Sequence, residues 1–343
     1  MADEFETGFL TAKPAWHGKG VVLSDAPNIE EAIAASGTDW QVVERPLYVD
    51  LGQKFGEPET LRKNDLVAAH NVYTHKALVR SSDNRVLGVV GKDYHPVQNV
   101  DAFRWFDFLL ESKQAKLEAG GSLREGQRVW VLAKMTCSAG EVVRGDRIDS
   151  YLLLSNSHSG DMGVWLVFTP IRVVCMNTLT AALEHREKDA RDGRAISLRH
   201  TPKVDEQLQW AKELVDTSRR TFDASLATYR LFQQTAMSDE EFGAYFDRVY
   251  YGPDKVNVEK EMEPKNKKKD NREKLRELFE AGTGMDIEGV RGTVWAGYNA
   301  VTEFVDHYRS TGARRLEQSW YGEGNSLRSR AFSEALEFVK ANR

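Results

Sequence analysis

The chain has 343 residues, 41 % of them hydrophobic and 8 of them Trp, which is enough apolar material for one large domain or two ordinary ones. A formal net charge of −5 excludes general electrostatic attraction to nucleic acid or acidic membranes, so binding of that kind must rest on a local basic patch. Two cysteines, Cys137 and Cys175, are too few for a disulfide scaffold and lack zinc-site spacing. No stretch nears the roughly 20 apolar residues of a membrane span, and the start MADEFETGFL lacks a leader pattern, so a cytoplasmic protein with no membrane segment is expected.

In chain order, Pro14 to Gly20 reads as a loop in which Gly18 and Gly20 permit a tight bend that brings Trp16 and His17 close together. Asn28 to Ala35 predicts a short helix with Glu30 and Glu31 at its positive end, and Trp40 to Leu51 alternates as a strand. Ala77 to Arg80 and Val86 to Gly91 pair as a hairpin across the turn signal Asp83-Asn84. Tyr94 to Asn99 is a loop, and Val100, Phe103, Phe106 and Leu110 then mark one face of an amphipathic helix.

Ala115 to Ala119, Arg128 to Met135 and Ile148 to Asn156 read as strands, with Gly120-Gly121 and Gly126 as breaks between the first two. Ser155 to Asp161 is a polar turn leading to a further strand over 162–174, which contains a proline, Pro170, that belongs at an edge or bulge. Asn177 or Thr178 is placed to cap a helix, whose free N–H groups beside Arg172 would favour an anion. The expected fold is α+β: an antiparallel meander of about four strands with flanking helices, followed by a mainly helical C-terminal half. Two units follow from this pattern, 1–200 around the sheet and 201–343 in the helices.

From Val204 to Phe232 the apolar residues recur every three or four positions, predicting one helix of roughly 45 Å whose narrow seam suits a partner helix, in this chain or in a second subunit of a homo-oligomer. Ser238 and Glu241 form a capping box for the next helix. Residues 252–268, with Gly252-Pro253, Pro264 and a lysine run, read as a basic flexible linker. Gly292-Thr293 opens a helix through Tyr308, and Ser326 caps the last one.

Six ordered segments resemble the phage/plasmid-like proteins grouped as the domain of unknown function numbered nine hundred and thirty-two. They are PAWHGKG at 14–20, LVRSSDNRVLGVVGKDYHPVQN at 78–99, GGSLREGQRVWVLAKM at 120–135, LLLSNSHSGD at 152–161, IRVVCMNTL at 171–179 and GTVWAGYNAVTEFVDH at 292–307. The resemblance implies a phage or plasmid gene in a bacterial host, and no reaction. The order of hairpin, helix and strand meander also resembles, in topology alone, the ring-forming single-strand annealing proteins of phage recombination.

No motif announces chemistry. Cys175, His158 and Asn177 have the residue types of a nucleophile, base and orienting amide, but Cys175 sits among Ile, Val and Met and reads as a small core residue. His17, His95, His158 and His185 show no metal-ligand spacing, and the glycines of 88–92 and 120–122 do not form a phosphate loop, so neither metal nor cofactor is expected. For single-stranded nucleic acid, Arg80, Lys92, Arg124, Arg128, Lys134 and Arg172 offer cations on the strands, and Trp16 offers a stacking surface. The other readings are an enzyme with a polar pocket of His17, Tyr94, Gln98, Asn99, Asn156, His158 and Asn177, and a structural or host-interaction protein.

Overall fold

The computed structural model describes residues 5–11, 20–50, 69–174, 177–178, 195–198, 204–252, 265–309 and 323–342. The N-terminal elements are β1 (Phe5–Leu10), β2 (Val21–Val22), α1 (Ile29–Ser36), β3 (Val42–Asp50), β4 (Ala69–Arg80) and β5 (Val86–Gly91). Helix α1 starts where the Asn28 side chain accepts from the Glu31 N–H while the Glu31 carboxylate accepts from the Asn28 N–H. It stops at Gly37, which takes the left-handed conformation that ends a helix at little cost. Strands β3, β4 and β5 form a three-stranded antiparallel sheet.

Two short helices follow, α2 (Asn99–Arg104) and α3 (Asp107–Glu111), where a single helix is expected from the sequence. The chain turns at Trp105 and Phe106, both of which are buried. The meander is β6 (Ala115–Leu123), β7 (Arg128–Glu141), β8 (Arg147–Ser157) and β9 (Val164–Arg172), extended by β10 (Asn177–Thr178) and β11 (Ala195–Leu198). Gly120 and Gly121 do not break it. They lie inside β6 because β1 passes so close that a Cβ on Gly121 would sit 2.3 Å from the Thr7 carbonyl oxygen.

The large sheet runs in the order β10-β9-β8-β7-β6-β1-β2, with β11 also on β9; apart from the parallel β1–β2 contact it is antiparallel. β10 pairs with residues 171–172 and β11 with 164–167 of β9, and Pro170 lies in the gap between them. Asn177 and Thr178 extend the sheet, taking ladder partners on the open edge of β9; the helix expected to start from them falls on residues outside those described.

The C-terminal half is helical: α4 (Val204–Gln234), α5 (Asp239–Tyr251), α6 (Lys265–Ala281), α7 (Val294–Glu303), which continues as a π-helical turn over Phe304–Tyr308, and α8 (Glu323–Ala341). The Ser238–Glu241 capping box opens α5, and Thr293 caps α7 through the Ala296 N–H. Lys265 to Lys268 belong to α6 and not to a linker; residues 253–264 lie outside those described. The last helix begins at Glu323, before Ser326.

All ten residues of α7 are buried, so this helix is the axis of the half. Tyr229 and Phe232 of α4 pack there, Tyr229 lying 5.0 Å from Trp295 and Phe232 lying 5.9 Å from Tyr298 between ring centres. The α4 seam from Phe222 to Phe232 is thus occupied within its own chain. One core cluster joins these residues to the sheet face carrying Val131, Leu152 and Phe168, and the opposite sheet face holds a second cluster around Trp130, Leu132 and Leu153.

Candidate functional site

Five residues of the expected polar pocket converge beside the β8–β9 turn. The Gln98 amide exchanges two hydrogen bonds with the backbone of Val42, accepting at 2.8 Å and donating at 3.0 Å. Asn99 donates from Nδ2 to the Thr38 carbonyl at 2.9 Å, which leaves its Oδ1 as an acceptor 2.8 Å from His158 Nε2. That pairing places the imidazole proton on Nε2. Asn156 Nδ2 donates to the Val97 carbonyl at 2.9 Å, and the Tyr94 hydroxyl donates to the Ser157 carbonyl at 2.9 Å. Burial, and then the Asp161 charge, push the Tyr94 phenol well above its ordinary range.

Asn99, Asn156 and His158 are fully buried, and Trp40 covers the imidazole edge-on at 5.6 Å. The constellation is a joint tying residues 38–42 and the 94–99 loop to the turn. Gly88 is required for it: a Cβ there would lie 2.7 Å from the His158 carbonyl oxygen.

The outer side of the turn is charged. Ser157 and Ser159 hydroxyls each donate to Asp161 Oδ1 at 2.6 Å, while Arg128 Nη2 reaches Oδ2 at 3.1 Å and Arg124 lies 3.6 Å away. Burial alone would raise the Asp161 carboxyl, but these hydroxyls and guanidiniums together hold it below the usual carboxylate range. Arg124 and Glu125, at the β6–β7 turn, both have positive φ, 50° and 57°, a conformation unfavourable for residues with a Cβ. Their ion pairs, Arg124 to Asp161 and Glu125 to Arg85, anchor the turn on both sides.

The structure brings Arg80, Arg124 and Arg128 into this region, each beside a carboxylate. Arg80 is buried under Trp40 and donates to Glu6 and Asp83 at 2.7 to 2.9 Å. Lys134 lies elsewhere, 2.6 Å from Asp149. Arg172 is interior: both its nitrogens facing Asp146 are taken, and Asp146 also accepts from the Trp295 indole at 2.8 Å. With no exposed surface, Arg172 offers nothing to a phosphate. Lys92 is exposed. Trp16, His17, Cys175 and His185 lie outside the described residues, and Asn177 is placed only as a strand residue.

One feature was not foreseen from the sequence. Beyond its contact with β5, the β3–β4 pair runs on as a two-stranded ribbon in which Tyr48 is 52 % and Tyr73 76 % exposed, and Arg45 and His75, in the adjoining three-stranded part, are also exposed. The signal was there in the β-prone run Asn71-Val72-Tyr73-Thr74, which extends the expected strand toward its N-terminus.

The fold and this joint define an α+β protein with two antiparallel sheets wedged at a polar turn and a helical half fastened to the larger sheet. A family model described as Domain of unknown function (DUF932) matches residues 86–332, and the chain belongs to that family. The match spans the turn, the 94–99 loop and α7, and begins after the ribbon and after residues 38–42 of the joint. No curated protein and no solved structure matches the chain. Among the described residues, no helix is long and apolar enough to cross a membrane.

Proposed function

We propose that the protein binds single-stranded nucleic acid, in an annealing or recombination step of phage or plasmid DNA metabolism, and that it does so with the β3–β4 ribbon. The observation carrying this reading is the pair Tyr48 and Tyr73, two largely exposed aromatic residues on one ribbon. Exposed aromatic rings give bases a stacking surface that is indifferent to sequence. Arg45 on β3 next to the ribbon and Lys92 just after β5 are exposed cations for the accompanying phosphates. The central arginines have the different task of holding the sheets together, since their charges are already met by Glu6, Asp83, Asp146 and Asp161.

Fluorescence anisotropy with single-stranded DNA, duplex DNA and RNA at two salt concentrations tests this. Wild type is expected to prefer the single strand, and Tyr73→Ala to weaken binding by about tenfold, within the range of one lost stacking contact. The absence of binding to any probe at low salt, or a Tyr48→Ala, Tyr73→Ala double variant that binds as wild type does, refutes the ribbon as the interface.

A further inference from the structure

The three-stranded sheet has a face that neither the core nor the joint uses. Arg45, Ala77 and Val89 are directly opposite one another across β3, β4 and β5, and ladder partners project to the same side. His75 and Gly91 form the pair two residues further along, so they belong to that side as well. The intervening residues face inward: Leu78 and Val90 are buried, and Gly88 lies against the His158-Ser159 backbone. On the outward side Arg45, His75, Val89 and Gly91 are exposed.

Gly91 is the low point of this face. Glycine is depleted in strands, and neither of the usual reasons for one applies here: its φ is not left-handed, and a Cβ built on it meets nothing within 4 Å. Such a glycine leaves room for another molecule to reach the strand backbone. Ala77, diagonal to it across the ladder, adds only a methyl to the floor.

The rim is aromatic and cationic. His75 stands opposite Gly91, with Tyr73 two residues before it on β4. Lys92 follows Gly91, and its N–H donates to the Thr74 carbonyl at 3.0 Å, which holds it beside the 73–75 stretch. The Arg45 guanidinium donates only to the Glu44 carbonyl, at 3.3 Å, while the Glu44 carboxylate is taken by Lys76 at 2.7 Å. None of these outward positions is acidic, in a chain of net charge −5; the next acid along β5, Asp93, lies in the turn after Lys92. The charge of the face therefore complements a polyanion.

We propose that this face is the base-docking floor of the single-strand site: an unpaired base settles on the Gly91 backbone beside the His75 and Tyr73 rings, and its flanking phosphates meet Arg45 and Lys92. The floor presupposes the single-strand reading above and adds to it a requirement for an exposed base face. In a duplex both faces of a base are covered by stacked neighbours, so only an unpaired base reaches the floor.

The test compares a fluorescent oligothymidylate with an abasic oligomer of the same length and charge, by anisotropy, on wild type, Gly91→Val and Arg45→Gln. Wild type is expected to bind the oligothymidylate at least about tenfold more tightly, the scale of one stacked base. Gly91→Val, whose branched side chain covers the floor, is expected to lose most of that preference while its Tm stays at or above that of wild type, because valine suits a strand and the space is open. Gly91→Leu fills the same space should valine lower the Tm. Arg45→Gln is expected to keep the preference and to reduce the slope of log K against log salt by about 0.7, the share of one phosphate on a single strand. A wild type that binds neither oligomer overturns the single-strand reading and the floor with it. A filled variant that keeps the wild-type preference overturns the floor alone, and the ribbon stands if Tyr73→Ala still weakens binding. Light scattering in which Gly91→Val dissociates a wild-type oligomer, with base preference unchanged, would give the face to a second copy of the chain instead.

Discussion

Arg172 and Asp146 form a two-bonded ion pair, 2.7 Å from Nε to Oδ1 and 2.9 Å from Nη2 to Oδ2, with no exposed surface on either side chain. Arg172 also donates to the Thr283 carbonyl at 3.0 Å, and its guanidinium lies 5.7 Å from the centre of the Trp295 ring. The end of β9 is thereby fastened to the loop between α6 and α7.

Removing one member strands the other. Asp146→Ala is expected to cost about 3–5 kcal/mol in urea unfolding, because a buried guanidinium loses its counter-charge. An Asp146→Leu, Arg172→Met double variant is expected to be less destabilised than Asp146→Ala. A cost below about 1 kcal/mol for the single variant would mean that water reaches the pair.

The joint at the turn is equally testable. Asn99→Ala removes the partner of His158 Nε2 and leaves the Thr38 carbonyl without its side-chain donor, a loss of roughly 1–3 kcal/mol. Chemical denaturation of Asn99→Ala against Asn99→Leu separates the lost bonds from lost volume, since leucine restores the volume but neither bond.

Gly88 and Gly91 make a matched pair on β5. Alanine at 88 drives a methyl into the His158-Ser159 backbone and is expected to cost about 1–3 kcal/mol. At 91 nothing lies within 4 Å, so Gly91→Ala is expected to be neutral or mildly stabilising. Equal effects in a melting experiment would show that β5 is not pressed on the turn.

Asp161 makes stability depend on acid. Its carboxyl titrates below its ordinary value of 3.8 when folded, so the unfolded chain takes up the proton first and acid favours unfolding. The contribution is complete above 3.8 and fades as pH falls through the lower folded value. The stability difference between wild type and Asp161→Asn is expected to shrink from pH 6 to pH 2.5; a constant difference would assign the loss to geometry alone.

Phe222 is buried against Phe168, at 6.4 Å between ring centres. Phe222→Glu is expected to destabilise the single chain by roughly 3 kcal/mol or more. Light scattering that showed dissociation with unchanged stability would instead place this face between subunits.

Much of the fold was legible in local pattern. The apolar run Tyr151 to Leu154, the turn residues at 83–84 and the capping box at Ser238 each act over a few residues, and each appears where expected. Gly120-Gly121 were misread as a break because their role is set by a strand distant in the chain: β1 crowds the glycines. For the site, the structure brings together five of the seven polar residues singled out from the sequence, Tyr94, Gln98, Asn99, Asn156 and His158, and turns them inward, which the sequence did not reveal. Arg172 and Arg128 look the same in sequence as exposed cations. Only tertiary structure decides that Asp146 and Asp161 lie opposite them, since an arginine's availability depends on which carboxylate the fold delivers to it.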